Sequence, residues 1–234
     1  MIAYFTNLGI PRSGEFLRAT ALATYEGVPF EKGFGTIVTE RVVDLIMLLV
    51  IIASALVMQT HFILGYLKQY GFGLVFGATI LIAGIIGIIT LLKLMRGAKH
   101  GYLFKIKAFL NGILEGVSSI LRMKNKQSFI FHTLFIWGCY IGMFWAIKFA
   151  IPGTAELNLS QLLVAFVAGA FAMIVFPGGL GGYPIFVSSA LALYGILPTS
   201  GDAFGWIIWI AQTLMIVFLG IISFILLPLL NQNQ

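Results

Sequence analysis

Charge is what this sequence has least of. Only 9% of its 234 residues are Asp, Glu, Lys or Arg, where soluble domains carry roughly 25%, and that shortage argues against a water-soluble fold. Cysteine is almost absent. The single Cys139 lies in an apolar stretch and supports neither a disulfide nor a cysteine-ligated metal site. His61, His100 and His132 are dispersed and form no ligand set, and no Ser-His-Asp or zinc spacing occurs. No cofactor is expected. Met1 to Ile10 has no basic n-region and no small-residue cleavage site before Pro11-Arg12, so no cleavable signal peptide is read.

What the sequence has instead is long apolar runs. Hydrophobic residues make up 60% of it, and a bilayer core of about 30 Å needs about 20 apolar residues per helix. Four stretches meet that length: Gly33–Met58, Phe72–Met95, Phe129–Ala150 and Ala203–Leu230. A fifth, Gln161–Phe176, sits near the lower limit. The expected fold is an all-α polytopic membrane helix bundle, one transmembrane domain over residues 1–234.

Basic residues in short loops mark the cytoplasmic face. The 96–127 linker holds Arg96, Lys99, Lys105, Lys107, Arg122, Lys124 and Lys126, and the N-terminal segment holds Arg12, Arg18, Lys32 and Arg41. The loop between the first two spans has only Lys68, and the loop after Ala150 has no basic residue. Residues 1–41 and 96–127 are therefore expected to face the cytoplasm. Within the linker, Leu103, Ile106, Leu110, Ile113, Val117 and Ile120 recur at spacings of three and four, one face of an amphipathic helix. Such a helix can lie on an anionic leaflet; the plainer expectation is that it packs on the bundle and its lysines set topology.

Two elements are broken by proline and glycine. Pro11-Arg12-Ser13-Gly14-Glu15 opens a short helix, Arg12–Glu26, followed by Gly27-Val28-Pro29 and a long apolar helix. Pro177-Gly178-Gly179-Leu180-Gly181-Gly182-Tyr183-Pro184 precedes a second short helix, Ile185–Tyr194, followed by Gly195-Ile196-Leu197-Pro198 and another long apolar helix. Each short helix covers only about 15–23 Å, too little to span, so both are expected to be re-entrant, which is tolerated where protein or water covers the loose backbone. Ala21-Leu22-Ala23-Thr24-Tyr25 also matches Ala190-Leu191-Ala192-Leu193-Tyr194. An internal repeat and chance similarity between apolar helices both remain open. Paired broken segments of this kind point to a transporter's binding site.

Five of the eight acidic residues fall in the first 44 positions. Arg41 and Asp44 stand at i, i+3 and Glu40 and Asp44 at i, i+4, so all three share a helical sector. Charges at membrane depth usually face a bundle interior or a wet cavity and mark a substrate path. Arg12, Arg18 and Arg41 suit a lipid phosphate, because the planar guanidinium donates two parallel hydrogen bonds. The alternative is a set of internal pairs, Glu15–Arg18 and Arg41–Asp44, at the cytoplasmic rim. The glycine run lacks the Lys-Ser/Thr sequel and flanking strand of a nucleotide loop. Gly178, Gly179, Gly181 and Gly182 serve instead for close packing or as a backbone anion site. Gly73/Gly77 and Gly138/Gly142 are small-xxx-small pairs, more often packing than function.

The run Asn7-Leu8-Gly9-Ile10-Pro11-Arg12-Ser13-Gly14-Glu15-Phe16-Leu17-Arg18 resembles the P-R-x-G-E-x-x-R signature of the flippase-like membrane family, which includes the transmembrane domain of lysylphosphatidylglycerol synthase. Glu26-Gly27-Val28-Pro29, Thr39-Glu40-Arg41-Val42-Val43-Asp44 and the 177–182 glycine run continue the likeness along nearly the whole chain. The resemblance implies movement of phospholipids or other lipid-linked molecules between leaflets, in a bacterial inner membrane. The substrate would be anionic, aminoacylated or polyprenyl-linked lipid. The substrate residues it implies are Arg12, Glu15, Arg18, Glu40, Arg41, Asp44 and the glycines of the 177–182 run. Nothing here resembles the family's soluble aminoacyl-transfer domain, so no enzymatic activity is expected, and the partner would be a second copy or a separate lipid-synthesising enzyme. Family members usually carry further helices before the motif, whereas Ile2–Ile10 is too short to span; the chain reads as a fragment, a misplaced start or a reduced member. Two rivals stand beside transport. A polyprenyl-phosphate-dependent glycosyltransferase would need non-cytoplasmic acids, for which only Glu156 and Asp202 are candidates. A non-transporting membrane partner would bind a lipid enzyme and move nothing.

Overall fold

The computed structural model describes residues 1–10, 13–69 and 125–231, and every regular element among them is helical. In chain order these are α1 (Ile2–Gly9), α2 (Ser13–Glu26), α3 (Phe30–Met58), α4 (Thr60–Gln69), α5 (Lys126–Ile147), α6 (Leu159–Val175), α7 (Gly182–Ala192) and α8 (Pro198–Leu230), with short 3-10 turns at Lys148–Ala150, Pro152–Thr154 and Pro177–Gly179. The chain divides into two compact units, Met1–Ala55 with Gln127–Gln234, and Leu56–Lys126. The expected span Phe72–Met95 and all but the last three residues of the 96–127 linker lie outside the described residues.

Among the described residues, three helices are long and apolar enough to cross a membrane: Phe30–Met58, Lys126–Ala150 and Pro198–Leu229. Their outward faces carry exposed Leu49, Val57, Phe131, Phe135, Leu214 and Phe218, a surface that water does not tolerate over this extent. This is an integral membrane protein built as an all-α helical bundle.

Local sequence explains the boundaries. The Pro29 carbonyl accepts from the amides of Lys32 and Gly33, so α3 starts at Phe30, one turn earlier than apolarity alone predicts. Pro198 occupies the first turn of α8, where a missing N–H costs nothing; this puts the helix start five residues before the expected Ala203. Asn158 and Gln161 form a reciprocal capping box, with Asn158 Oδ1 accepting from the Gln161 amide at 3.0 Å and Gln161 Oε1 from the Asn158 amide at 2.9 Å. That box fixes the start of α6. Pro177 ends α6, since the residue before a proline is driven out of helical geometry, and Phe176 is extended. The second short helix begins at Gly182 rather than Ile185, because Pro184 falls in its first turn, where it needs no donor.

One core joins α5, α6, α7 and α8 through Phe144, Leu162, Ala165, Val187, Leu191, Phe204 and Ile208. Phe144 meets Phe204 edge-on at 5.6 Å and Phe166 at 5.4 Å between ring centroids. A smaller core of Ile51, Ala55, Trp137 and Leu163 binds α3 to α5 and α6. Helix α1 packs on both α2 and α8.

Candidate functional site

The site grows from the turn between α1 and α2. The Gly14 amide donates to Asn7 Oδ1 at 2.8 Å, and Ser13 Oγ donates to the Ile10 carbonyl at 2.7 Å. A side chain at Gly14 would run into the Ala3 carbonyl, so α1 and α2 touch backbone to backbone. The chain then turns at Gly27, whose φ of 62° favours glycine, and α3 folds back along α2. Gly33 lets α3 approach Ala19 and Leu22 of α2, and Phe16 lies 5.3 Å from Phe34 between ring centroids.

This hairpin brings Arg18 to Glu40. Both guanidinium Nη atoms donate to the carboxylate, Nη1 to Oε2 at 2.5 Å and Nη2 to Oε1 at 2.9 Å. The two side chains are 45% and 30% exposed. The hydrogen bond to Glu40, more than its charge, raises the Arg18 pKa further above its ordinary value against the cost of partial burial, so Arg18 is cationic at any working pH. One residue beyond Glu40, Arg41 Nη2 meets Asp44 Oδ2 at 3.0 Å. The Trp137 side chain of α5 interacts with Asp44, and Tyr140 of α5 with Tyr4 of α1. Four helices thus converge on one polar cluster in an otherwise apolar bundle.

Of the residues expected from sequence, the structure brings Arg18, Glu40, Arg41 and Asp44 together. The Arg41–Asp44 pair forms; Glu15–Arg18 does not, because the folded-back α3 offers Arg18 a carboxylate with better two-point geometry. Glu15 makes no ion pair among the described residues. Arg12 lies outside them.

The glycine run lies elsewhere, against α1 and α8. Gly178, Gly179 and Gly181 have φ of 64°, 69° and 71°. The Trp209 indole of α8 donates to the Gly178 carbonyl at 2.8 Å. A side chain at Gly179 would meet Met173 and Tyr183, and one at Gly182 the ring of Phe176. Gly179 and Gly182 are therefore packing positions. Only Gly181 has open space around its Cα. Leu8 of α1 approaches Gly178, so α1 touches both the polar cluster, through Tyr4, and the glycine turn one helical turn later.

Sequence reasoning missed Tyr4, Asn7, Trp137, Tyr140 and Trp209, all polar-tipped side chains in apolar text. Trp137 and Tyr140 at i, i+3 were the available signal. It also missed Lys148, a lone cation in an apolar stretch. Lys148 is only 6% exposed; its Nζ donates to the Leu157 carbonyl at 2.7 Å and lies 4.1 Å from the Trp145 ring centroid and 4.7 Å from that of Phe149. It ties the end of α5 to the segment leading into α6. Among the described residues no three His, Cys, Asp or Glu side chains form a group able to hold a metal ion.

A family model described as the lysylphosphatidylglycerol synthase TM region matches residues 1–220. Neither the curated proteins nor the solved structures give a match.

Proposed function

Because this chain belongs to the family of lysylphosphatidylglycerol synthase TM regions, we propose that it moves phospholipids or other lipid-linked molecules between leaflets. The lipid headgroup would travel along a polar groove lined by Glu15, Arg18, Glu40, Arg41 and Asp44, with Arg12 beside them in sequence, while the 177–184 turn would brace α1, whose Leu8 meets Gly178. The observation that carries this proposal is the two-point Arg18–Glu40 pair, which sets a guanidinium fork between a helix too short to span and the start of a spanning one. Charged groups are costly to keep there, and an arginine fork fits a phosphate. At about 21 Å for α2 and about 17 Å for α7, both short helices suit a re-entrant path. Both short–long helix pairs also turn at a positive-φ glycine, Gly27 and Gly195, in keeping with a repeated unit. The basic residues favour a cytoplasmic N-terminal segment, in a bacterial inner membrane. The lipid would be made by a separate enzyme.

The test is a proteoliposome assay with fluorescent anionic, aminoacylated and polyprenyl-linked lipids. Wild-type protein is expected to move at least one of them, and Arg18→Ala to slow that movement at least about tenfold, as the loss of a charge-assisted two-point contact implies. Equal rates in wild type and Arg18→Ala would remove Arg18 from the groove. No movement of any of the three lipids by the wild type would end the transport reading.

A further inference from the structure

Both arginines of the cluster are closed on carboxylates of their own chain: Arg18 on Glu40 and Arg41 on Asp44. Resting on the transport reading above, we infer that Glu40 is a built-in stand-in for the ligand's phosphate. It fills the Arg18 fork in the unliganded protein, and a phosphate-bearing headgroup enters by displacing it. Geometry makes the two exclusive. Both Nη atoms of Arg18 already bond both oxygens of Glu40, the same planar two-point face that a phosphate uses. The fork cannot serve both at once through that face.

Exchange is feasible because the pair is accessible, with the two side chains 45% and 30% exposed. An ion pair this exposed is worth no more than about fivefold in an equilibrium constant. Exchange also leaves the helices joined: Gly33 still packs on Ala19 and Leu22, and Phe16 on Phe34. Glu40 thereby sets a threshold. An anionic headgroup can replace one anion with another, whereas an uncharged lipid would leave the guanidinium without a counter-charge. The pair is an autoinhibitory contact that selects for phosphate.

The experiment is a calorimetric titration of the purified full chain in detergent micelles with short-chain phosphatidylglycerol, and separately with inorganic phosphate. Wild type, Glu40→Gln, Glu40→Asp and Arg18→Ala are compared. The expected order of affinity is Glu40→Gln tightest, about fivefold above wild type, with Glu40→Asp between them and no saturable binding in Arg18→Ala. A latch that merely held the helices would give the reverse order, with Glu40→Gln weaker than wild type. Glu40→Asp keeps the charge and carries the comparison if Glu40→Gln folds poorly. Binding by wild type that is equal or weaker in both Glu40 variants overturns the stand-in role and leaves the lipid reading intact, as does wild-type-like binding in Arg18→Ala. No binding by any form overturns both. Equal affinity for inorganic phosphate and the lipid supports the exchange but overturns the lipid as its source.

Discussion

The two Pro/Gly-broken elements share an outline and differ in what holds them. In each, a short helix turns at a positive-φ glycine into a long apolar one, α2 through Gly27 into α3 and α7 through Gly195 into α8. The first is joined across its helices by an exposed ion pair, with a side-chain cap from Asn7 and polar aromatics at its edge. The second has no charged residue between Leu157 and Gly201. It is joined by close contact: a Cβ at Gly205 would lie 2.6 Å from the Pro184 Cα, and one at Gly201 would press on Ser188. An exposed ion pair can exchange one partner for another, whereas interlocked backbone cannot. Under the proposed function, α2–α3 would be the part that reads the ligand and α6–α8 the scaffold.

The largest test of that division is Gly205→Ala. Its new Cβ would lie 2.6 Å from the Pro184 Cα, a backbone atom that cannot swing aside, and overpacking of this kind costs about 1–3 kcal/mol. Thermal unfolding in detergent should fall accordingly. The matched change Gly35→Ala, in α3, meets open space and should stabilise by about 0.5–1 kcal/mol, since alanine is the better helix former. Equal behaviour of the two variants would erase the contrast between the elements. A smaller effect is expected from Trp209→Phe, which keeps the ring but leaves the Gly178 carbonyl without its indole donor. The loss should be about 1 kcal/mol, with lipid movement unchanged. A variant of normal stability that no longer moves lipid would show that the glycine turn is more than scaffold.

How far the sequence alone reached follows the same division. The apolar runs predicted the three long helices among the described residues, because burial in lipid depends on composition over a window and tolerates local detail. Helix starts were misplaced by three to five residues at α3, α7 and α8, where proline decides the boundary and hydropathy does not register it. Within the site, Arg41–Asp44 was legible because i, i+3 neighbours meet in any helix. Arg18–Glu40 was not, since 22 residues separate them and only the Gly27 turn and the Gly33–Ala19 approach bring them together. Trp137 and Tyr140 were overlooked for another reason: in an apolar helix an aromatic pair at i, i+3 reads as core, and its polar tips acquire meaning only once Asp44 and Tyr4 are known to face them. The glycine run stayed open between close packing and a backbone anion site, because glycine signals both, and the neighbouring Phe176 and Met173 show the packing at Gly182 and Gly179.

The smallest effect separates the two ion pairs within the first element. Arg18–Glu40 links two helices through two hydrogen bonds, whereas Arg41–Asp44 is a single contact within one helix, with side chains 50% and 41% exposed. Double-mutant cycles with Gln and Asn substitutions, read from denaturant unfolding in mixed micelles, should give a coupling of up to about 1 kcal/mol for the first pair and about 0.2–0.5 kcal/mol for the second, the range of helical i, i+3 pairs. Adding salt should shrink both, since both are reached by solvent. A larger coupling for Arg41–Asp44 would mean that Trp137 and Tyr140 shield it more than its exposure suggests. The more weakly coupled Arg18–Glu40 would then be the more readily exchanged of the two pairs.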